Sequence, residues 1–340
     1  MKVLLLQLKR IGDLILTTPT IAALRKSFPD ALLTLVISGE CADLLPALSN
    51  VDRVLIARRN LSDIALFPAI ARRKFDCCID FTRNDRSASL AFLSRARRRI
   101  VSYRVRDQSK TRARAYNDFV DVRMRDMHTI DYHMALLKPL GVPNAHYSLH
   151  LQIPELARAR ADQFRRDSKI GDRFVIFHPG SARKEKFWES ARWATVIEHA
   201  GRNNDVDLVL TSGASRLEQT HIAEIKSKMR EPVVDLSGKT DLLTLAALIG
   251  QARLLVTVDS APMHLAAAMQ TPQVILFGPT NPFHWRPRES PALILQGKST
   301  APVSEFSPVQ PRLPMSQIST EAVIGAMDSL LSPHATTQTS

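Results

Sequence analysis

The chain alternates between short apolar runs and segments in which apolar residues recur at helical spacing. In the first half, the apolar runs predict strands at residues 3–8, 32–37, 53–56, 77–80 and 100–103. The intervening pattern predicts helices at residues 21–27, 42–48, 64–72 and 88–93. Alternation of this kind is typical of a parallel sheet with helices on both faces. The first half is therefore predicted to be a doubly wound α/β domain.

The alternation breaks between residues 104 and 129, which are rich in Arg and Asp and predict a long loop with an irregular element. A helix is predicted over residues 130–140 and ends at Gly141, since glycine commonly follows the last helical residue. Another helical segment, "PELARARADQFRRD", leads to a predicted interdomain linker near residues 168–172.

From Arg173 onward the alternation restarts. Strands are predicted at residues 174–178, 207–211, 233–235, 254–258 and 273–277, with helices at 190–199, 216–229, 242–250 and 262–269. The predicted domains are residues 1–168 and 172–315, followed by a C-terminal helix at 316–331 and a disordered tail at 332–340. Two such domains facing each other would form a cleft at the carboxyl ends of their strands, where ligands of doubly wound sheets bind.

Composition adds one unusual feature to this picture, which is charge. The 340 residues are 45% hydrophobic, an ordinary globular value, but they carry a formal net charge of +13 and a pI of about 10.0. Such a surface indicates a polyanionic partner: nucleic acid, an anionic membrane or a phosphorylated substrate. No apolar run approaches the roughly 20 residues of a membrane span. The start of the chain reads as a strand rather than a signal peptide, and only three cysteines are present, which favours a reduced, cytoplasmic protein.

The first candidate for chemistry is the turn in "LKRIGDLILTTPTIAAL", residues 8–24. It follows the first strand but ends in an acid, Asp13, after Gly12, instead of in the glycines of a phosphate loop. A carboxylate there is either a general base or a helix N-cap. Thr17 and Thr18 before Pro19 supply capping hydroxyls of their own, so Asp13 is left for another role.

A second candidate is "VDSAPMHLAAAMQ", where a buried strand ends at Asp259 and a helix begins near Pro262. The start of a helix carries unpaired N–H groups and the positive end of the macrodipole, so it suits a diphosphate. His264, in the first turn, either faces that ligand or packs in the core. Asp259 beside an anion site fits the hydroxyl groups of a sugar.

Two more turns follow predicted strands. In "FHPGSARKEKFWES", Gly180 and Ser181 form a turn rich in donors, and Lys186 is suited to neutralising a phosphate, although a solvated basic loop has the same pattern. In "TSGASRLEQT", Glu218 is either an acceptor for ribose hydroxyls or a surface glutamate.

Together, "RIGD", "HPGSARKEKFW", "TSGASRLE" and "VDSAPMHLAAAMQTPQVILFGPTNPFHWRP" resemble the ADP-heptose:lipopolysaccharide heptosyltransferases of glycosyltransferase family 9. "LLLQLKRIGDLILTTP" and "VDSAPMH" resemble the heptosyltransferase III branch in particular. The resemblance implies the GT-B fold, in which two Rossmann-like domains face a central cleft, the N-terminal one for the acceptor and the C-terminal one for the nucleotide-sugar. It also implies inverting transfer of L-glycero-D-manno-heptose from ADP-heptose to an inner-core lipopolysaccharide hydroxyl.

The resemblance also assigns roles to residues. Asp13 is implied to be the catalytic base. The implied donor-binding residues are Ser181, Lys186, Glu218, Asp259, Ser260, Ala261 and His264. Many family members have Thr-Gly where this chain has Ser260 and Ala261, which makes close approach of the backbone harder at position 261. No cofactor and no metal are implied, and the D-x-D pair Asp205 and Asp207 starts a strand without a neighbouring acid cluster.

The basic surplus suits the acceptor that this family uses. Lys9, Arg10, Arg83 and Arg86 are predicted to bind the lipopolysaccharide core and lipid A acceptor, and the remaining charge suits the anionic inner face of the cytoplasmic membrane. A peripheral, cytoplasmic enzyme is the expected form.

Three alternatives remain. A transferase of the same fold could use another nucleotide-sugar or acceptor, because no motif fixes the pocket shape. A basic nucleic-acid-binding protein is disfavoured by the 6% aromatic content and the lack of any nucleic-acid-binding motif. A nicotinamide-dependent oxidoreductase is disfavoured because no G-x-G-x-x-G follows a strand.

Overall fold

A computed structural model describes residues 1–58, 60–143 and 148–332, and the chain divides into two compact units, Met1–Gln152 and Ile153–Ser340. Each unit contains one parallel six-stranded sheet. Of the predicted tail at 332–340, only Ser332 is among the described residues, where it follows the last helix. The three cysteines are buried and unpaired.

The first unit builds its sheet from the strands that the apolar runs predict and one more. The strands are β1 Lys2–Gln7, β2 Leu32–Ser38, β3 Arg53–Ala57, β4 Cys77–Asp80, β5 Arg98–Ser102 and β6 Asp118–Val120, in the order β3-β2-β1-β4-β5-β6. The helices are α1 Ile11–Ile15, α2 Thr18–Ser27, α3 Leu66–Ala71, α4 Asp85–Leu93, α5 Arg104–Gln108, α6 Lys110–Ala113 and α7 Thr129–Ala135. Short 3-10 helices lie at Gly39–Ala47, Leu61–Ala65, Met124–Asp126 and Lys138–Leu140.

The second unit repeats this plan. Its strands are β7 Phe174–His178, β8 Asp207–Leu210, β9 Val234–Asp235, β10 Leu254–Val258, β11 Gln273–Phe277 and β12 Ala292–Gln296, in the order β12-β11-β10-β7-β8-β9. The helices are α8 Glu155–Asp167, α9 Ser190–Asn203, α10 Arg216–Lys226, α11 Leu242–Gln251, α12 Ala261–Met269, α13 Pro282–Trp285 and α14 Thr320–Leu331. Two 3-10 helices lie at Lys184–Lys186 and Met315–Gln317.

Both sheets have the strand order of a dinucleotide-binding domain. In each, the first strand of the unit pairs with the second on one side and the fourth on the other, so the connections reverse direction between β1 and β4 and between β7 and β10. Loops diverge at such a point and leave a crevice at the carboxyl ends of the strands. The predicted α/β class with two doubly wound domains is confirmed.

Two strands escaped prediction, and both are the last strand of their sheet. Residues 104–129, predicted to be a long loop with an irregular element, hold α5, α6, β6 and a 3-10 helix, and β12 lies in the proline-rich region after Gly278. An edge strand pairs on one side only, so a run as short as the three residues of β6 is sufficient. The segment at 42–48, predicted to be α-helical, lies in a 3-10 helix that contains Pro46.

The predicted domain boundary at 168–172 is displaced by one helix. Helix α8 belongs to the second unit because its side chains bond to α11: Gln251 Nε2 donates to Asp162 Oδ1 at 2.8 Å and Arg165 Nη1 donates to Gln251 Oε1 at 3.2 Å. Helix α14 is likewise part of the second unit, since its apolar face, including Val323, lies in the same core cluster as Trp193. Among the described residues, no helix has the length and apolar character needed to cross a membrane.

Candidate active site

The carboxyl end of β1 carries the acid that the sequence singles out. Asp13 does not cap a helix: it lies inside α1, whose N-cap is Arg10, and its side chain is only 12% exposed. Lys9 Nζ lies 3.5 Å from Asp13 Oδ1, and that oxygen has no hydrogen-bond partner among the described residues. Burial raises the pKa of Asp13 and lowers that of Lys9, and each group partly offsets the shift of the other. The pair is therefore loose and largely, but not completely, shielded from solvent.

The backbone of Asp13 is held by a buried network. Thr17 Oγ1 donates to the Asp13 carbonyl oxygen at 2.7 Å and accepts from Gln7 Nε2 at 2.7 Å. His133 Nδ1 lies 3.2 Å from the same hydroxyl and 3.3 Å from the Leu16 carbonyl, so a proton on Nδ1 satisfies both contacts. Burial lowers the pKa of His133 to about 3, which keeps the ring neutral.

This network corrects the predicted role of the threonines. Helix α1 begins at Ile11, well before Pro19, and neither Thr17 nor Thr18 caps α2 through its side chain. Thr18 Oγ1 instead donates to the Ile15 carbonyl at 2.7 Å. Both hydroxyls therefore satisfy carbonyl groups of α1, and they fix the short helix that carries Asp13.

The neighbouring strand β4 also ends in an acid, Asp80, which is completely buried. Its Oδ1 accepts from the backbone N–H groups of Thr82 at 2.7 Å and Arg83 at 3.1 Å, and Tyr116 donates its hydroxyl to Oδ2. Arg83 adopts a left-handed backbone, with φ of 63°, and its guanidinium lies 5.3 Å from the centre of the Tyr132 ring. Asp80 thus holds the turn that presents Arg83 beside the β1 turn.

The four basic residues predicted to bind the acceptor do not form one group. Lys9 and Arg83 follow the adjacent strands β1 and β4, and the charge of Arg83 contributes to the lowered pKa of Lys9. Arg10 is exposed at the start of α1. Arg86 is engaged elsewhere, because its guanidinium pairs with Asp63 in the 3-10 helix Leu61–Ala65.

In the second unit, the turns after β7 and β10 meet through an ion pair. Lys186 Nζ donates to Asp259 Oδ2 at 2.6 Å and to the Asp259 carbonyl oxygen at 2.9 Å, and both side chains are largely buried. Two of the three N–H donors of the ammonium group are thereby directed at one residue. The structure brings these two predicted donor-binding residues together.

The start of α12 presents polar atoms without partners. Ser260 is the N-cap residue, yet its side chain makes no capping bond, and its buried Oγ has no partner among the described residues. Ala261 is the first helical residue and is half-buried. His264, one turn on, is 5% exposed and its Nδ1 also lacks a partner among the described residues, while burial lowers its pKa to about 4. Two unpaired polar atoms therefore accompany the helix N-terminus.

Glu218 is a buried carboxylate rather than a surface glutamate. It accepts from Gly213 N at 3.2 Å and from Ser215 Oγ at 2.8 Å. A side chain at Gly180 or at Gly213 would collide with its carboxyl oxygens, so both glycines are required for this packing. Ser181 is buried beside Gly180, and its hydroxyl accepts from Arg183 N at 3.4 Å.

The pair Asp205 and Asp207 serves the backbone and the surface. Asp207 Oδ2 accepts from Gly171 N at 2.7 Å, and Asp205 pairs with Arg173. Within the described ranges, no group of three or more His, Cys, Asp or Glu side chains is arranged to hold a metal ion.

Sequence reasoning missed Asp80 and the network of Gln7, Thr17 and His133. Asp80 had a signal: like Asp259, it ends a buried strand at a reversal of strand order. His133 had none, because its partner Thr17 lies 116 positions away in the chain.

Residues 64–310 match the sequence profile described as Glycosyltransferase family 9 (heptosyltransferase). The Asp13 turn lies outside that range, and two further similarities cover nearly the whole chain. Lipopolysaccharide heptosyltransferase 3 of Escherichia coli is 29% identical over 339 residues, covering 97% of this chain and 98% of its own. Lipopolysaccharide core heptosyltransferase OpsX of Haemophilus influenzae is 24% identical over 341 residues, covering 96% of each chain.

Solved structures show the same fold. A family 9 glycosyltransferase from Veillonella parvula superposes with a TM-score of 0.83 at 26% identity and 97% coverage of both chains. The Escherichia coli ADP-heptose lipopolysaccharide heptosyltransferase II gives a TM-score of 0.78 at 19% identity, covering 97% of this chain and 98% of its own. The predicted GT-B fold is confirmed by these similarities, and the predicted resemblance to heptosyltransferases by the sequence matches. The chain is a glycosyltransferase and belongs to glycosyltransferase family 9 (heptosyltransferase).

Proposed function

We propose that this enzyme transfers L-glycero-D-manno-heptose from ADP-heptose to a sugar hydroxyl of the lipopolysaccharide inner core, with inversion at the anomeric carbon. The similarity to lipopolysaccharide heptosyltransferase 3 along nearly the whole chain supports the acceptor class. A structure titled Escherichia coli heptosyltransferase WaaC with ADP has the same fold at 19% identity, which fits an adenine nucleotide donor.

The observation that carries the proposal is the state of Asp13. Its carboxylate is buried, has one oxygen without a hydrogen bond among the described residues, and has a raised pKa. These are the properties of a base that can accept a proton from a neutral hydroxyl. In the proposed step, the acceptor oxygen forms a bond to the anomeric carbon and its proton passes to Asp13. The bond from that carbon to the diphosphate oxygen breaks, and ADP leaves.

Groups of the second unit are proposed to bind the donor. The third N–H of Lys186, together with the start of α12, supplies the positive charge that the leaving diphosphate needs. Ser260 Oγ and His264 Nδ1, both without partners among the described residues, are proposed to bond to the heptose and the diphosphate. Glu218 is proposed to accept from the ribose hydroxyls through the lone pairs that Gly213 and Ser215 leave open. No metal or cofactor enters this proposal.

The acceptor is proposed to lie against Lys9, Arg10 and Arg83. Phosphorylated core sugars attached to lipid A need a basic binding surface, and these three residues border the β1 and β4 turns. Because that acceptor is anchored in lipid, we further propose that the enzyme works in the cytoplasm, peripherally attached to the anionic inner face of the cytoplasmic membrane.

The test combines donor binding with transfer. Calorimetric titration of ADP, UDP and GDP should show clear preference for ADP, and ADP release from ADP-heptose should require a heptose-containing core lipid. The anomeric configuration of the product, read by NMR, should be inverted relative to the donor. Preference for UDP would replace the proposal by transfer from another nucleotide-sugar, and retention of configuration would exclude the single displacement.

A further inference from the structure

The segment between β3 and β4 carries large apolar side chains that are exposed to solvent. Ile64 is 65% exposed and Phe67 37% exposed, while Leu66 and Ile70 on the other face of the same segment are buried in the core of the first unit. Residues 65, 68, 69 and 71 are alanines and a proline; Ala65 is exposed and the other three are partly exposed. The 3-10 helix Leu61–Ala65 and helix α3 thus present an outward apolar face, which we name the 64–71 face.

Basic residues border this face on both sides. Arg58 precedes it, and Arg72 and Lys74 follow it, all three exposed. The single acid between positions 58 and 75 is Asp63, whose carboxylate accepts from Arg58 N at 2.8 Å and pairs with Arg86. The negative charge of Asp63 is therefore compensated within the fold, and the exposed charge of residues 58–75 is positive.

An anionic lipid surface matches this combination of features. Apolar side chains enter the boundary between headgroups and acyl chains, and Lys and Arg at the border meet lipid phosphates. A protein partner would have to be both apolar and acidic, whereas the inner membrane surface supplies both properties together. We propose that the 64–71 face is the surface by which this enzyme binds anionic bilayers.

The position of the face connects it to the proposed active site. The segment begins directly after the carboxyl end of β3, at the same edge of the sheet as the Asp13 turn. The side chain of Arg58 packs against Gly39, and the hydroxyl of the preceding Ser38 donates to the Lys9 carbonyl at 2.9 Å. Binding of the face to a bilayer would therefore place the acceptor turn near lipid headgroups. Only this last step depends on the proposed lipid-anchored acceptor.

Flotation with vesicles tests the membrane surface without any substrate. The full-length enzyme should bind vesicles of phosphatidylethanolamine and phosphatidylglycerol, and bind phosphatidylcholine vesicles much more weakly. The double variant Ile64→Asp/Phe67→Asp should lose about tenfold or more of this affinity, because each side chain gives up its apolar burial. Arg72→Gln and Lys74→Gln should each cost about fivefold, and that loss should disappear at high salt.

The matched control is Leu156→Asp, which introduces an acid at a leucine that is 64% exposed on α8 of the second unit. It should bind vesicles like the wild type. Equal binding by Ile64→Asp/Phe67→Asp and the wild type would overturn the proposal, as would equal losses in that variant and in Leu156→Asp. A change from dimer to monomer in the double variant, without a change in vesicle binding, would assign the face to a second copy of the chain.

A conservative variant gives a second measurement if the charged one folds poorly. Phe67→Trp adds an indole to the face, and its emission, taken as the difference from the wild type, should shift to the blue with anionic vesicles. Trp188 and Trp193 are buried and Trp285 is partly exposed, and all three contribute to the wild-type spectrum that is subtracted. An unshifted spectrum under conditions of wild-type vesicle binding would contradict insertion of the face.

Transfer assays then separate this proposal from the function proposed above. The double variant should keep wild-type activity on a water-soluble, delipidated core oligosaccharide and lose activity on the same acceptor embedded in vesicles. If the enzyme binds vesicles but transfers no heptose, the proposed function is wrong and the proposed membrane surface is retained. Equal activity of the variant on both acceptors would contradict the membrane surface and leave the proposed function unaffected.

Discussion

The carboxyl edges of the two sheets are built on the same strand order, yet each holds a lysine–aspartate pair of a different kind. Lys9 and Asp13 lie 3.5 Å apart, and the facing carboxylate oxygen has no hydrogen bond among the described residues. Lys186 and Asp259 lie 2.6 Å apart, and the ammonium also bonds to the Asp259 carbonyl. In the first unit, the lysine and aspartate are far enough apart to leave a carboxylate oxygen without a hydrogen bond among the described residues. In the second unit, the same two residue types form a short ion pair.

The difference follows from where the two partners come from. Lys9 and Asp13 are four residues apart in one short stretch of chain, with Lys9 just before α1 and Asp13 inside it, so the local backbone sets their distance. Lys186 and Asp259 come from the turns after the neighbouring strands β7 and β10, 73 positions apart in the chain, so the packing of two separate segments sets their distance. The strand order therefore determines where a site forms, while the local segment that carries each residue determines whether its side chain is tightly paired.

Removing the first carboxylate should have the largest effect. Asp13→Asn and Asp13→Ala should lower kcat between about 10²- and 10⁴-fold, because the acceptor hydroxyl loses its proposed base. Affinity for ADP, measured by calorimetry, should stay unchanged. Asp30→Asn, at an exposed aspartate of the same unit, serves as the control and should be fully active. Near-normal turnover in both Asp13 variants would place the base elsewhere.

Breaking the second pair should act on the donor instead. Lys186→Met should lower kcat/KM for ADP-heptose by about 10²- to 10³-fold, since the leaving diphosphate loses a charged donor. Lys186→Arg should restore little, because a planar fork cannot reproduce the two contacts that the ammonium makes with Asp259.

Lys184→Met is the matched control, because Lys184 is an exposed lysine two positions earlier in the same 3-10 helix. Steady-state kinetics should separate the two lysines by at least an order of magnitude. Equal losses in Lys184→Met and Lys186→Met would mean that the basic charge of the loop matters and the Asp259 pair does not.

The network behind Asp13 should have a smaller effect. Thr17→Val removes the hydroxyl that bonds to the Asp13 carbonyl, to Gln7 and to His133, and should lower kcat about tenfold, since one buried hydrogen bond contributes roughly 1 to 1.5 kcal/mol. Thr17→Ser keeps the hydroxyl and should keep most of the activity. Thr20→Val is the control, because the Thr20 hydroxyl is buried without a partner among the described residues.

Activity should be read together with thermal unfolding for these three variants. If Thr17→Val lowers the melting temperature but leaves kcat intact, the network stabilises the fold and does not position the base. A loss of kcat in Thr20→Val as large as in Thr17→Val would lead to the same conclusion.

The central strands and the site positions could be predicted from the sequence for the same physical reason. A strand of a parallel sheet that is buried on both faces is apolar over its length, and a polar residue just past its carboxyl end, such as Asp259, stands out against that run. Two of the four edge strands were missed, because β6 has only three residues and β12 lies in the proline-rich region after Gly278. Side-chain geometry was also out of reach, since the Lys9–Asp13 separation and the burial of Glu218 between two glycines depend on packing that no local pattern encodes.

The pH dependence offers the finest test of the contrast between the two pairs. Asp13, the proposed base, can accept a proton only when ionised, so kcat/KM should fall as the pH drops through its pKa. Burial raises that pKa and the charge of Lys9 lowers it. Lys9→Met should therefore raise the pKa further and move the acidic limb of the profile to higher pH by about one unit or more. Well above that limb, the pKa change itself should have little effect on the rate.

The pH profile of Lys186→Met is the control for the shift expected in Lys9→Met. Lys186 bonds to Asp259 and is not among the main causes of the raised pKa of Asp13, so its loss should lower kcat/KM at every pH and leave the limb in place. Arg10→Gln should move the limb slightly, because Arg10 is the weakest of the groups that lower the pKa of Asp13. If the acidic limb stays in place in Lys9→Met, the titrating base is not the carboxylate beside Lys9. The two lysine–aspartate pairs would then differ in their N–O distance but not in catalytic role.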